Sequence, residues 1–238
     1  MTDIALVTGA NKGIGREIAA QLADLGMTVL LGSRDRERGE AAASALPGDI
    51  RPVILDVTNP ATVLATAAAI DEQFGRLDVL VNNAGITGGW GQVPSVANLD
   101  LVRAVFETNY FGVMTVTNAM LPLLLRSPAP RIVNVTSSVG SLAQMSDPEG
   151  PLAAMPASSA YVPSKTALNS LTVQYAKELR KHNVLVNVAC PGYCATDLNN
   201  HSGHRTAAQG ATIAVRLATL GPDGPTGGFF NEDGPVPW

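Results

Sequence analysis

The sequence predicts a doubly wound α/β fold, in which helices cover both faces of a parallel sheet of about seven strands. Short apolar runs recur along the chain, and they consist almost continuously of Val, Ile and Leu. Such runs are typical of strands buried on both faces, because a solvent-exposed face would produce polar/apolar alternation. The runs alternate with Ala- and Leu-rich segments at helical spacing, so strand and helix follow each other throughout.

Six strands can be placed by their apolar runs and by the turn residues that bound them. They lie at residues 4–8, 28–31, 51–55, 77–82, 131–136 and 184–189. Five helices fit the segments between them, at residues 13–25, 36–45, 60–74, 99–125 and 158–182. This order predicts right-handed crossovers and a ligand crevice at the carboxyl ends of the strands. Two irregular stretches, residues 140–156 and 199–209, have the length of loops that close over substrates.

The composition indicates which kinds of binding partner to expect. The 238 residues are 46% apolar and 15% charged, and no linker or repeat divides them, so one domain over residues 1–238 is expected. The net charge of −4 comes without a dense basic run, which argues against nucleic acid and membrane surfaces and favours a small molecule. No apolar span reaches 18 residues and no leader pattern opens the chain, so a cytoplasmic protein is expected.

The cysteines and two of the histidines do not form a metal motif. Cys190 and Cys194 flank a Pro-Gly turn, and no second Cys/His cluster accompanies them. His201 and His204 lie in a polar stretch without an HExxH arrangement. We therefore expect ordinary thiols in a reducing compartment, surface-loop histidines and no metal.

The first strand runs into a glycine-rich turn that opens a helix. Gly9 allows a tight turn, Gly13 lets the backbone approach a pyrophosphate, and Gly15 lets helix and strand pack closely. Free N–H groups at the helix N-terminus would face the anion. The spacing GxxxGxG differs from the GxGxxG dinucleotide fingerprint, so a glycine turn without a ligand is the alternative.

Residues at the end of the second strand indicate which nicotinamide cofactor to expect. In a dinucleotide site, the adenosine ribose lies at this position. Arg34, with Lys12 from the glycine loop, is suited to charge-assisted bonds with the 2′-phosphate of NADP. Asp35 beside it is suited to the ribose hydroxyl of NAD. The prediction is NADPH or NADP, and NAD is the alternative.

Tyr161 and Lys165 begin the last predicted helix and are four residues apart, which puts the phenol and the ammonium on one face. A tyrosine that titrates near pH ~10 is a poor proton donor, but an adjacent ammonium would lower its pKa. Tyr161 could then act as a general acid or base. A half-buried tyrosine beside a solvated lysine is the alternative for a single YxxxK pattern.

Two further polar positions are candidates for the same site as Tyr161 and Lys165. The fifth strand ends at Ser137 and Ser138, where a hydroxyl could hydrogen-bond a substrate carbonyl. Asn109 lies within an otherwise apolar helix, where an amide could hold a water or a backbone group. A core amide with its hydrogen bonds satisfied is the alternative.

Together these segments resemble the short-chain dehydrogenase/reductase family, whose fold is a Rossmann sheet. The matching motifs are TGxxxGxG at 8–15, NNAG at 82–85, Asn109, a serine before YxxxK, and Pro-Gly at 191–192. They cover nearly the whole chain. Within the family the chain is most similar to NADPH-dependent carbonyl reductases, through GANKGIG, SRD, PGYCATDLN and the GPTGGFFNEDGPVPW segment.

The resemblance implies roles for individual residues. The catalytic residues would be Asn109, Ser137, Tyr161 and Lys165, with Ser137 preferred to Ser138 because it matches the second serine of the family's SSxxG pattern. The cofactor would be bound by Gly9, Asn11, Lys12, Gly13, Ile14, Gly15, Arg34, Asp56, Val57, Asn83, Ala84, Gly85, Tyr161, Lys165, Pro191, Gly192 and Thr196. The substrate would be bound by Ser137, Trp90, Met145 and Tyr193.

The segment between Ser137 and Tyr161 departs from the family pattern. It is longer than in compact tetrameric members and shorter than the insertion of animal carbonyl reductases. The expected oligomeric state is therefore a dimer, a tetramer or a monomer. The resemblance implies reduction of an aldehyde or ketone, or oxidation of the matching alcohol. The alternatives are an NAD-dependent alcohol dehydrogenase and a nicotinamide-responsive regulatory protein without turnover.

Overall fold

A computed structural model describes residues 2–89 and 91–238 of the chain. Its sheet has eight strands in the order β3-β2-β1-β4-β5-β6-β7-β8, and every neighbouring pair is parallel except the last. The strands are β1 Ile4–Val7, β2 Thr28–Ser33, β3 Ile50–Ile54, β4 Val79–Asn82, β5 Arg131–Val135, β6 Leu185–Ala189, β7 Phe229–Asn231 and β8 Gly234–Pro235. The predicted fold class is therefore confirmed.

Helices cover both faces of this sheet and enclose two apolar cores. The helices are α1 Gly13–Asp24, α2 Arg36–Ser44, α3 Pro60–Phe74, α4 Leu99–Phe106, α5 Gly112–Leu124, α6 Leu142–Ser146, α7 Tyr161–Leu179 and α8 Ala207–Ala218. Side chains of α1, α2 and α8 form the core on one face, and those of α3, α5 and α7 form the core on the other. None of the helices in the described ranges combines the length and apolarity needed to cross a bilayer.

The strand burial explains why the apolar runs were continuous. Every residue of the inner strands β1, β2, β4, β5 and β6 is buried, since helices pack on both of their faces. The edge strand β3 is partly exposed and contains Pro52, which an edge tolerates because one side of the strand lacks a partner.

Four parts of the structure differ from the sequence-based elements. The predicted helix 99–125 is interrupted by a π-helical turn, Glu107–Phe111, which separates α4 from α5. The predicted loop 199–209 runs into α8, whose start is fixed by a capping box between Thr206 and Gln209. Strands β7 and β8 raise the count from about seven to eight. The loop 140–156 contains the short helix α6.

The strand order places the crevice. The chain moves outward from β1 through β2 to β3, then returns to pair β4 with the other side of β1. Connections therefore leave β1 and β4 in opposite directions, and a crevice opens at their carboxyl ends. The glycine turn after β1 and the Asn83–Gly85 segment after β4 meet there.

Candidate active site

A cleft of about 500 Å³ lies at the carboxyl ends of β1, β2 and β4. Thirteen of the residues predicted to bind the cofactor line it, and these are Gly9, Asn11, Lys12, Gly13, Ile14, Gly15, Arg34, Asp56, Val57, Asn83, Ala84, Gly85 and Thr196. Sequence reasoning did not name Arg38, Thr108, Asp197 and the segment Ile86–Gly88, which also line it. The fold thus brings six separate parts of the chain around one cleft.

The glycine turn has a backbone that other residues would disrupt. Gly9 has a φ of +61°, and a Cβ there would lie 2.9 Å from the Cα of Ala84. A Cβ on Gly15 would lie 2.3 Å from Nδ2 of Asn83. The first turn of α1 contains no acidic residue, and its N-cap, Lys12, makes no side-chain cap. The N-terminus of α1 is therefore suited to a phosphate.

Thr8 and Asn83 fasten the two loops to each other. The Thr8 hydroxyl accepts hydrogen bonds from the backbone N–H groups of Asn83 and Ala84, both at 3.0 Å. The Asn83 amide donates to the carbonyls of Thr8 and Gly9 at 2.9 and 3.1 Å. Asn83 therefore shapes the wall of the cleft through the backbone.

Two arginines stand at the outer end of the cleft. Arg34 and Arg38 both line it, at the end of β2 and on the first turns of α2. Asp35 is the N-cap of α2, because its Oδ1 accepts a hydrogen bond from the backbone N–H of Arg38 at 3.0 Å. Its other oxygen lies 3.7 Å from the Arg38 guanidinium. Asp35, the residue that made NAD the alternative cofactor, is therefore engaged in capping α2.

Lys12 does not join Arg34 in this structure. Its ammonium forms an ion pair with Asp197 at 2.7 Å, which links the glycine turn to the loop after β6. His201 contacts the other oxygen of Asp197 at 2.9 Å. The hydrogen bond from Lys12 lowers the pKa of Asp197, and His201 adds to this effect. Lys12 and Asp197 therefore meet on the wall of the cleft.

Given the expectation of NADP drawn from the sequence, replacing Asp197 with Asn should tighten NADPH binding by roughly fivefold at low salt. The substitution removes a negative charge from the wall of the cleft and frees Lys12, and exposed charge pairs are worth up to about 1 kcal/mol. Fluorescence titrations in low and high salt would measure the gain, which salt should reduce. Asp100→Asn, which breaks the exposed pair with Arg103 on α4, is the matched control. Weaker NADPH binding by Asp197→Asn would contradict this expectation.

Tyr161 and Ser137 meet at the carboxyl edge of β5. Tyr161 is the first residue of α7, and Ser137 follows β5. Burial raises the pKa of Tyr161, the nearby Cys190 thiol raises it further, and the hydrogen bond with the Ser137 hydroxyl lowers it. Ser138 contacts the Cys190 thiol instead. Of the two serines considered, the structure puts Ser137 beside the phenol.

The expected lowering of the Tyr161 pKa is not found. Lys165 is 4% exposed, and burial lowers the pKa of its ammonium to about 8. Its Nζ donates to the carbonyl of Val135 at 2.9 Å and lies 5.6 Å from the centre of the Tyr161 ring. Desolvation of the phenol is the largest influence on its pKa, and the hydrogen bond with Ser137 opposes it only in part.

The Asn109 side chain is fully engaged inside the protein. Its Oδ1 accepts from the N–H of Ile86, and its Nδ2 donates to the carbonyl of Ile86 and to Ser164 Oγ, at 2.9 to 3.0 Å. Ser164 in turn donates to the carbonyl of Tyr161 at 2.7 Å. The amide therefore holds a backbone segment, which is one of the roles expected from the sequence. It joins the π-helical turn to the start of α7.

Several predicted residues lie beyond the cleft lining. Pro191 and Gly192 follow β6, and Gly192 has a φ of +75°. Met145 is on α6 and Tyr193 is 47% exposed, with its hydroxyl bonded to Ser202. Trp90 lies outside the described residues. Within residues 2–89 and 91–238, no three His, Cys, Asp or Glu side chains are grouped closely enough to hold a metal ion.

Comparison with known proteins gives the family. The family model described as short chain dehydrogenase matches residues 3–207. The chain is 36% identical to (−)-isopiperitenone reductase from Mentha piperita, over 96% of each protein. It is also similar to two solved structures. Salutaridine reductase from Papaver somniferum superposes with a TM-score of 0.84 at 33% identity, covering 97% of this chain and 99% of that one. The Pseudomonas aeruginosa RhlG/NADP active-site complex gives 0.83 at 30%, covering 97% and 94%.

The fold and site are those of a nucleotide-binding α/β oxidoreductase. More specifically, the chain belongs to the short-chain dehydrogenase/reductase family, which binds NAD(P) and acts on CH–OH or C=O groups. The resemblance recognised in the sequence is thereby confirmed.

Proposed function

We propose that this protein is an NADPH-dependent reductase of ketones or aldehydes, with Tyr161 as the proton donor. The observation that carries the proposal is the meeting of Ser137, Tyr161 and Lys165 at the edge of a cleft that ends in two arginines. The Ser137 hydroxyl and the Tyr161 phenol hydrogen-bond each other, so both would contact one carbonyl oxygen bound beside them. A cytoplasmic location agrees with the two free cysteines.

The protonated state of Tyr161 is the one that carbonyl reduction requires. Because burial raises the pKa of Tyr161, its phenol holds its proton at neutral pH. A protonated phenol beside a carbonyl oxygen is a general acid, and it donates a hydrogen bond that becomes a proton transfer as negative charge develops. Ser137 donates a second hydrogen bond to the same oxygen. Lys165 stabilises the phenolate that is left, with Asn109 and Ser164 fixing the turn of α7 that carries it.

The cleft fits a nicotinamide dinucleotide. The N-terminus of α1 would hold the pyrophosphate, Asp56 and Val57 would flank the adenine, and Asn83–Gly85 would line the channel to Tyr161. Lys165 would bind the nicotinamide ribose, and Pro191, Gly192 and Thr196 would contact the nicotinamide. When bound, the nicotinamide supplies the hydride. Arg34 and Arg38 would bind the 2′-phosphate, and similarity to a protein solved with NADP supports this choice.

Arg34→Ala is expected to weaken NADPH binding by about 10- to 100-fold and NADH binding by less than threefold. The reason is that a charge-assisted bond to a phosphate is worth about 1.5–3 kcal/mol, and NADH lacks that phosphate. Arg38→Ala should act in the same direction. Dissociation constants for both cofactors measure the effect, and Arg36→Ala, at the start of α2 and paired with Glu40, is the control. Equal losses for both cofactors would favour the NAD-dependent alcohol dehydrogenase.

A spectrophotometric screen of ketones, aldehydes and alcohols with both cofactors tests the proposed function. We expect NADPH oxidation with at least one carbonyl class and much slower rates with NADH. Cofactor binding without turnover across the panel would instead support the nicotinamide-responsive regulatory protein.

A further inference from the structure

The chain around Tyr161 lacks charged residues. Four segments, residues 86–98, 136–146, 150–164 and 189–196, contain no Asp, Glu, Lys or Arg, although these types make up 15% of the sequence. Contacts join the segments. Ser159 bonds the carbonyl of Gln92 through both its N–H and its hydroxyl, and Ser137 and Cys190 both interact with Tyr161. The described residues of the neutral segments therefore lie next to Tyr161, and two of the segments also reach the cleft, through Ile86–Gly88 and Thr196.

These segments also expose large apolar side chains. Val96 is 80% exposed and Leu142 is 65% exposed. Leu142 begins α6, and the segment after β8 holds that helix in place. The Ser141 hydroxyl donates to the carbonyl of Pro237 at 2.7 Å, and the N–H of Ala143 donates to the carbonyl of Trp238 at 2.9 Å. Leu142 follows Ser137 by five residues on the same neutral segment, which makes it an exposed apolar side chain close in the chain to the reacting group.

The charges nearest to this surface are engaged or acidic. Arg205 lies against Gly192 and interacts with Cys194, but its Nη2 is paired with Glu232, and its Nε, which has no hydrogen-bond partner among the described residues, is buried. Asp147 and Glu149, on the segment between Ser137 and Tyr161, are exposed acids that would repel an anion. Lys165 is buried behind Tyr161 and bonds Val135. An anionic substrate group would therefore lose its hydration without gaining a partner.

We infer that the substrate is an uncharged ketone with a compact apolar body, lacking a carboxylate, a phosphate or a phosphate-bearing carrier. The inference rests on the proposed function, since it assigns the carbonyl end of the substrate to Ser137 and Tyr161. The apolar body would lie against Leu142 and its neighbours. Selection would come from the neutral segments, which offer no pairing for an anion.

Ketones that share one ring and differ in charge test this inference. The probes are 4-methylcyclohexanone, methyl 4-oxocyclohexanecarboxylate and 4-oxocyclohexanecarboxylate, with methyl levulinate and levulinate as an open-chain pair. We expect kcat/KM for each carboxylate to be at least about 100-fold below that of its methyl ester, because the carboxylate is desolvated without a partner. The methyl ketone and the cyclic ester should agree within about tenfold.

A charge placed on α6 sharpens the test. Leu142→Lys should raise the carboxylate-to-ester ratio of kcat/KM at least tenfold, whereas Leu64→Lys, equally exposed on α3, should leave the ratio unchanged. Carboxylates that turn over within threefold of their esters would overturn the inference and leave the proposed function standing. No NADPH oxidation with any of the five ketones would overturn the inference, and the proposed function would fall with it only if the wider screen of ketones and aldehydes also gave no turnover.

Discussion

Tyr161→Phe is expected to lower kcat by about 1,000-fold while changing the dissociation constant of NADPH by less than threefold. The substitution removes one oxygen, and with it the proton donor that the substrate carbonyl needs as charge develops. Loss of a group that acts in the transition state lowers kcat and kcat/KM together, with ground-state binding preserved. Steady-state kinetics with a competent ketone and a fluorescence titration with NADPH measure the two effects.

Tyr175→Phe is the matched control for this variant. Tyr175 lies on the same helix, and its buried hydroxyl donates to Oδ1 of Asn118 at 2.7 Å. Its removal should lower the free energy of unfolding by about 1 kcal/mol and leave kcat within twofold. A Tyr161→Phe enzyme that keeps more than a tenth of wild-type kcat would exclude Tyr161 as the proton donor.

Lys165→Met is expected to reduce kcat by at least about 100-fold and to stabilise the fold near pH 7. Burial holds the pKa of Lys165 at about 8, against 10.5 for an exposed lysine. That difference corresponds to roughly 3 kcal/mol of cost for carrying the buried charge at neutral pH. Methionine has a similar shape without the charge, but it leaves the Val135 carbonyl without this donor, at about 1.5 kcal/mol. A net gain of about 1–2 kcal/mol should remain.

The stability gain should depend on pH in a defined direction. Between pH 8 and 10.5 the unfolded wild-type chain binds more protons at Lys165 than the folded chain does, so wild-type stability rises with pH. The advantage of Lys165→Met should therefore be largest below pH 8 and decline above it. Urea unfolding at pH 7 and pH 9.5 measures this trend, with Lys177→Met, exposed on the same helix, as the control. A variant less stable than wild type at pH 7 would contradict the cost assigned to Lys165.

A Lys165→Met variant that is more stable but less active than wild type would show that the buried charge is kept for catalysis although it lowers the free energy of unfolding. A buried lysine is expensive, and an apolar residue would serve the core better. The expected opposite changes in kcat and in the free energy of unfolding separate a catalytic lysine from a structural one, since loss of a structural lysine would lower both.

Sequence reasoning succeeded where local chemistry determines the structure. Continuous apolar runs identified the buried strands, since strands covered on both faces cannot alternate. The Gly9 and Gly15 positions followed from backbone sterics, and the spacing of Tyr161 and Lys165 followed from the period of a helix. These features depend on residues that are close in the chain.

The remaining features depend on contacts between distant parts of the chain. Lys12 was assigned to a phosphate, but it meets Asp197, which lies 185 residues away in sequence. The π-helical turn at Asn109 forms where that amide reaches Ile86, which no helical period reveals. The raised pKa of Tyr161 reflects the depth of its burial. Arg38 and the capping box at Thr206 left local signals, namely an arginine four residues after Arg34 and a T-x-x-Q pattern before an apolar helix.

Transfer of hydrogen from NADPH to the product alcohol tests the proposed reduction most directly. The enzyme is incubated with NADPH that carries deuterium at both C4 positions of the nicotinamide and with 4-methylcyclohexanone, and the alcohol is analysed by mass spectrometry and NMR. We expect one deuterium on the carbinol carbon of the product with wild type, and about 1,000-fold slower formation of that product with Tyr161→Phe. Alcohol without deuterium, or equal rates of deuterium transfer by the two proteins, would contradict it.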